Sequence, residues 1–200
     1  MAKGYTTLAE IRRRYKLVRI LQTRQPKDMA LGSGLSEPER GGLYTSNDEA
    51  KTFRQVVLKP PQNPNKIQLH PVIPESTMPG EDTTTPRISV APTLESAIQG
   101  IEGHISSRKG EDLVDHYARF NPNIQVLGLK KLPQTGYVPH HKLRDKVPDA
   151  HRTQEGWLTE PTAMEHVGKL VHNVDDQQTY VTKLTLKELR RRLKVRTGGK

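Results

Sequence analysis

The chain has 200 residues, 32% of them hydrophobic, with 15 Gly, 15 Pro, two Phe and one Trp. Such a composition suits a modest core of about 110–130 residues and leaves the remainder to arms or contacts. No run approaches the ~18 apolar residues of a membrane span, no apolar signal segment opens the chain, and the absence of Cys excludes disulfides, thiolate metal sites and a Cys nucleophile. A virion-like or host-cytoplasmic setting is expected.

The net charge of +10 is loaded onto the ends: residues 1–60 carry net +6, residues 61–176 net −3, and residues 177–200 net +7. Basic ends around a nearly neutral middle suit acidic protein surfaces or phosphate backbones; the plainer alternative is a solubilising tail.

Taken in chain order, Thr7-Leu8-Ala9-Glu10 reads as a capping box. Leu8, Ile11, Tyr15, Val18 and Leu21 follow at helical spacing. The pattern predicts an amphipathic helix over 8–22, with Arg12 and Arg13 on its basic outer side. Residues 24–50 are polar and Gly-rich and read as an arm. Phe53–Leu58, Lys66–His70 and Arg87–Ala91 read as strands. Thr93 caps a helix whose apolar stripe is Leu94, Ala97, Ile98, Ile101 and Ile105. A shorter helix is expected over 111–120, a strand over 123–129, then a long loop marked by Pro133, Pro139 and Pro148. Short strands are expected over 155–158, 166–171 and 179–182. Thr185-x-x-Glu188 is a second capping box. It opens a helix with Leu186, Leu189 and Leu193 on one side and Arg190, Arg191, Arg192 and Lys194 around it. The predicted fold is α+β: a small mixed or antiparallel sheet with one main packed helix, flanked by basic helical or extended termini. The expected divisions are 1–51 as a basic helix and arm, 52–175 as the core, and 176–200 as a basic helix or tail.

Two blocks carry a family resemblance. Thr85-Pro86-Arg87-Ile88-Ser89-Val90-Ala91-Pro92-Thr93-Leu94-Glu95-Ser96-Ala97-Ile98 is one; Val147-Pro148-Asp149-Ala150 followed by Glu155-Gly156-Trp157-Leu158 is the other. Over residues 56–172 the chain resembles a family of small phage and prophage proteins. That resemblance implies a phage genome as source rather than an activity.

The middle also resembles ADP-ribosyltransferase-like folds. The positions matching their early basic or His residue are Arg54 or His70; Ser89 matches the Ser that ends a middle strand, and Glu155 the Glu that opens a late one. The resemblance implies an enzyme using NAD, cleaving the nicotinamide–ribose bond with Glu155 holding the ribose and Ser89 supporting the pocket wall. The Ser-Thr-Ser and paired Gln/Glu patterns of those folds are absent here. The competing role for Ser89 is a packing or capping strand residue, and for Glu155 a turn carboxylate.

Other chemistry is less well supported. His140 and His141 are adjacent, which points them apart on most backbones, and no His-Glu-x-x-His occurs. Gly32-Ser33-Gly34 lacks the Lys-Ser/Thr of a phosphate loop. Asp145, Asp149, Glu155 and Glu160 are read as solvated loop acids, and Trp157 as a core anchor. No metal site is predicted.

The favoured function is a non-enzymatic phage virion or complex component. Its polyanion- or partner-binding residues are Arg12, Arg13, Arg190, Arg191, Arg192 and Lys194; its partners are other proteins of an assembly or a nucleic-acid backbone, not a membrane, and it needs no cofactor. The alternatives are the NAD-dependent enzyme with Ser89 and Glu155 as catalytic residues, and a phage inhibitor of a host factor.

Overall fold

The computed structural model describes residues 4–22, 66–74, 79–102, 110–120 and 124–197. Strand β1 (Tyr5–Thr7) runs directly into helix α1 (Leu8–Arg14). The turn between them is closed by the capping box: the Glu10 amide donates to Thr7 Oγ1 at 3.2 Å, and the Thr7 amide donates to Glu10 Oε2 at 2.9 Å. The helix then stops after two turns. Tyr15 adopts φ −117° and ψ 139°, and Leu17–Gln22 forms strand β2. The expected helix over 8–22 is thus two elements. Val18 and Ile20 are β-branched, and Leu17 and Val18 are both buried in clusters on opposite sides of the strand; an extended backbone serves both faces, a helix only one.

The chain continues through β3 (Lys66–Leu69), β4 (Ile88–Val90), α2 (Leu94–Glu102), α3 (Gly110–Phe120), β5 (Ile124–Leu129) and β6 (Tyr137–Val138). A 3-10 turn at His140–Lys142 and helix α4 (Ala150–Thr153) lead into β7 (Gly156–Leu158), β8 (Thr162–Asn173), β9 (Gln178–Thr182) and α5 (Leu186–Thr197). The expected long loop over Pro133–Pro148 therefore holds a strand and a 3-10 turn. The expected strand at Phe53–Leu58 and the stripe positions Ile101 and Ile105 lie outside the described residues or side chains.

Among the described residues every strand pairing is antiparallel, and the fold is α+β. Strand β8 is the spine of the main sheet. One edge pairs with β5 through Glu165–Lys169; the other pairs with β9 through Lys169–Asn173 and with β3 through Thr162–Glu165. Beyond them β1 pairs with β9 and β2 with β5. Strands β1, β2 and β9 thus belong to the same sheet as the middle of the chain, so boundaries at 52 and 175 do not separate a core from its flanks. Strands β4, β7 and β6 form a second, three-stranded sheet. It hangs from β2 by the reciprocal pair Val18–Ala91, with N–O distances of 2.7 and 2.9 Å.

A bulge bends β8. Val126 faces Gly168 but Leu127 faces His166, leaving Val167 as the extra residue. Gly168 has φ +151°, and a Cβ there would lie 2.8 Å from the Thr182 carbonyl carbon. Only glycine meets both conditions.

Alternation along β8 and β9 assigns the layers. Leu170 and Val181 face a cluster with α1, α2 and α3, including Leu8, Ile11, Ile98, Val114 and Tyr117. Val171 and Tyr180 face the other way, onto Tyr5, Leu189 and Leu193 of the α5 layer. On that second face the small sheet also packs, through Ile88, Val90 and Leu158 against Leu17, Leu127 and Met164.

Helix α2 begins as its sequence requires, with the Ser96 amide donating to Thr93 Oγ1 at 3.1 Å. Helix α3 is held partly by polar contacts to His172 of β8. The Arg119 Nε–H donates to His172 Nε2 at 3.1 Å, while His172 Nδ1 and Thr179 Oγ1 lie 3.1 Å apart. Burial, followed by the Arg119 charge, lowers the His172 pKa.

Two outcomes test this packing. Ile98 is fully buried, so Ile98→Ala is expected to cost about 2–4 kcal/mol in urea unfolding. For His172, a folded-state pKa below the unfolded value of 6.5 means the unfolded chain binds more protons below that pH. Stability is expected to fall as pH drops below about 6.5, with His166, whose pKa is lowered by burial, acting in the same direction. His172→Gln should flatten part of that slope.

Candidate functional site

The small sheet carries the cluster that includes Ser89 and Glu155. Ser89 of β4 stands opposite Trp157 of β7, and Glu155 directly precedes β7. Because Ile88 and Val90 face the main sheet, Arg87 and Ser89 project to the outer side. There the Trp157 indole N–H donates to Glu155 Oε1 at 2.9 Å, and the Ser89 hydroxyl hydrogen-bonds the same carboxyl. The Glu155 amide donates to Thr153 Oγ1 at 3.3 Å. Burial raises the Glu155 pKa; the Ser89 and Trp157 hydrogen bonds and the Arg87 charge oppose this, and the Glu81 charge adds to it.

Arg87 is the residue that sequence reasoning missed. Its side chain has no exposed surface and is ion-paired to Glu81. Its Nη1 donates to the carbonyl oxygens of Asp82 at 2.7 Å and Thr85 at 3.2 Å. Its guanidinium carbon lies 4.3 Å from the Trp157 ring centroid, within cation–π range. The signal available in the sequence was a single Arg entering an apolar strand, followed by the only Trp of the chain seventy residues later.

Residues 139–153 cover this outer face. Leu143, Val147 and Ala150 pack on Trp157. The Asp82 amide donates to the Lys146 carbonyl at 2.8 Å, and Lys146 Nζ reaches Asp82 Oδ2 at 3.2 Å. Asp82 also accepts from the hydroxyls and amides of Thr84 and Thr85, which hold its carboxyl well below the usual carboxylate range. Ser89 and Glu155 are therefore together, as the enzyme expectation requires, within a cluster whose groups bind one another. Of the early-residue candidates, His70 is exposed just beyond β3, and Arg54 lies outside the described residues.

The six basic candidates divide differently. Arg12 is ion-paired with Glu95 of α2. Arg190 reaches back to Asn173 Oδ1 at 3.3 Å and Asp175 Oδ2 at 3.5 Å. These two fasten helices to the body, a role that helical spacing alone does not reveal. Arg13, Arg191, Arg192 and Lys194 are exposed. On α5, Leu189 is fully buried and Leu193 packs beside it, as the stripe predicted; the Leu186 side chain lies outside the described set. The second capping box forms, with the Glu188 amide donating to Thr185 Oγ1 at 3.3 Å and the Thr185 amide donating to Glu188 Oε2 at 3.0 Å. The outer face of α5 is left with Lys187, Arg191, Arg192 and Lys194, and with Glu188 at the cap. Lys187, Arg191 and Lys194 recur at helical spacing along one side.

Among the described residues, no three His, Asp or Glu side chains gather as a metal site, and no helix is long and apolar enough to cross a membrane.

The raised pKa of Glu155 makes its role testable without an assay of activity. A carboxyl with a raised folded-state pKa contributes stability that is lost as pH climbs from its unfolded value of 4.5 through the folded value. Glu155→Gln keeps an acceptor for Trp157 and removes the titration. The variant is expected to melt higher than the parent at pH 8, with the advantage shrinking toward pH 4. An equal or lower Tm at pH 8 would mean that the ionised carboxylate is itself a partner the cluster needs.

Compared with protein-family models, curated proteins and solved structures, the chain matches none.

Proposed function

We propose that the protein is a non-enzymatic binding component that grips nucleic-acid backbone through the outer face of α5; the resemblance of its two sequence blocks to phage proteins supports a place in a phage virion or phage–host complex. The observation that carries this reading is the sidedness of α5. Leu189 and Leu193 hold the helix to the sheet, Arg190 is tied to Asn173 and Asp175, and Lys187, Arg191, Arg192 and Lys194 are turned to solvent.

Phosphate is favoured over an acidic protein surface by what that face lacks. Protein interfaces need an apolar centre with aromatic or aliphatic anchors. The described outward positions of α5 offer cations and one Glu, and no apolar side chain. Arginine forks suit phosphate oxygens, and contacts of this kind position a chain without reading base sequence.

The NAD-dependent transferase is the second reading, and the Ser89–Glu155 contact is the observation in its favour. The two hydrogen bonds on the buried Glu155 carboxyl favour a fastening role over contact with substrate.

The test is fluorescence anisotropy with short duplexes of unrelated sequence. Binding is expected to be independent of sequence. With about three phosphates neutralised, log affinity should fall against log salt with a slope of about −3. Arg191→Gln with Arg192→Gln should lower affinity about tenfold or more at low salt and flatten the slope, with the melting temperature unchanged. Arg190→Gln should instead loosen the α5 anchorage and lower the melting temperature. Unchanged affinity for the double variant at every salt concentration would remove the proposal's support. NAD turnover by the parent that Glu155→Gln abolishes would move the assignment to the second reading.

A further inference from the structure

A second basic surface lies on the opposite side of the main sheet. It gathers where α1 ends, β5 ends and β3 begins. Arg13 and Arg14 close α1, and Lys16 follows. The Lys16 amide donates to the Leu129 carbonyl at 2.8 Å, which places Lys16 beside Lys130. Lys66 stands in register opposite Glu165, and Glu165 opposite Gly128. Arg13, Arg14, Lys16, Lys66 and Lys130 are all exposed.

Glu165 is the carboxylate about which this patch is arranged. Lys130 Nζ lies 2.6 Å and Arg14 Nη2 3.7 Å from its two oxygens. Burial pushes the Glu165 pKa up, but the bound Lys130, the nearby Tyr15 hydroxyl and the Arg14 charge outweigh it and hold it low. The Tyr15 ring fills the space above Gly128, where a Cβ would lie 2.3 Å from the ring. Arg14 and Lys130 lie over that ring, at 5.7 and 5.9 Å from its centroid. One carboxylate thus stands among five cations on a floor fixed by packing, and the patch keeps a positive surplus.

The two surfaces cannot meet the same straight segment of duplex. Helix α1 packs on the face carrying Leu170 and Val181, and α5 on the face carrying Val171 and Tyr180. These are neighbouring residues on the same strands and so project to opposite sides. From this disposition we infer that one molecule holds two separate nucleic-acid segments, one against α5 and one against the Arg13–Lys16–Lys66–Lys130 surface, and so bridges duplexes. This rests on the proposed backbone binding and adds a valency to it. Two weak, salt-sensitive contacts joined through a rigid sheet hold a pair of segments at a high effective concentration of each other.

The experiment uses the full chain, one duplex immobilised on beads and a second, labelled duplex in solution at low salt. The parent should carry label to the beads in proportion to bound protein, and should bind two duplexes per molecule at saturation. Arg13→Gln/Lys16→Gln/Lys66→Gln should still bind one duplex through α5 with near-parent affinity, and Arg191→Gln/Arg192→Gln should bind one duplex about tenfold more weakly through the second surface, while in each capture of the label drops about tenfold. Circular dichroism melts matching the parent confirm that both variants are folded. If the parent binds one duplex and captures no second, or the first variant bridges as well as the parent, the inference is overturned while the α5 reading stands. If the parent binds no duplex at all, both are overturned.

Discussion

The buried guanidinium of Arg87 is the constraint around which the smaller half of the molecule is arranged. A cation without solvent is tolerable only when hydrogen-bond acceptors and an opposite charge are close. Glu81 supplies the charge, the carbonyls of Asp82 and Thr85 accept from one amino group, and the Trp157 ring covers a flat face. The partners come from two stretches of backbone, residues 81–85 and β7. Meeting the needs of one side chain therefore curls residues 81–85 beneath β4, sets β7 beside it, and leaves Trp157 as the floor for residues 139–153. Asp82 then binds that covering layer through Lys146.

The Ser89–Glu155 pair reads differently in this setting. A side chain within one strand and another just before its antiparallel neighbour are brought together by the ladder itself, because Ser89 faces Trp157 and Glu155 lies two residues before it. Proximity of that kind follows from sheet geometry and does not require a substrate. What distinguishes the carboxyl is its enclosure, and the groups it faces are already engaged with it. The two exposed cationic surfaces, on α5 and at the junction of α1, β5 and β3, lie outside this cluster.

Much of the fold was legible in local signals. Both capping boxes form, Thr93 caps α2, and the alternating segments at 66–69, 124–129 and 178–182 are strands. Local signals failed where two periods fit the same residues. Val18 and Leu21 continue the helical stripe of Leu8, Ile11 and Tyr15, while Leu17, Val18 and Ile20 suit a two-sided strand, and only the partner strand β5, more than a hundred residues away, decides between them. The candidate site was half legible for a related reason. A fold resemblance singled out Ser89 and Glu155, and the helical charge pattern ranked Arg12 and Arg190 with the outward cations. Their partners Glu95, Asn173 and Asp175 are set by packing, which no spacing rule encodes. Charge counting cannot separate an arginine that fastens a helix from one that meets a ligand.

The pairing of β1 with β9 has a consequence for the order of assembly. Tyr5 aligns with Thr182 and Thr7 with Tyr180, and the same ladder gives α5 its seat on Tyr5 and Tyr180. Tyr5–Thr7 thus has no strand partner until β9, far later in the chain, has been made. Until then α1 is a two-turn helix, too short to persist alone, and β1 presents an open edge. Contacts this distant in sequence make closure of the sheet a late and slow event. The basic helix α5, made after β9, takes its seat on Tyr5 and Tyr180 only as that closure completes, so its cationic face is held in place only on a molecule whose sheet is already whole.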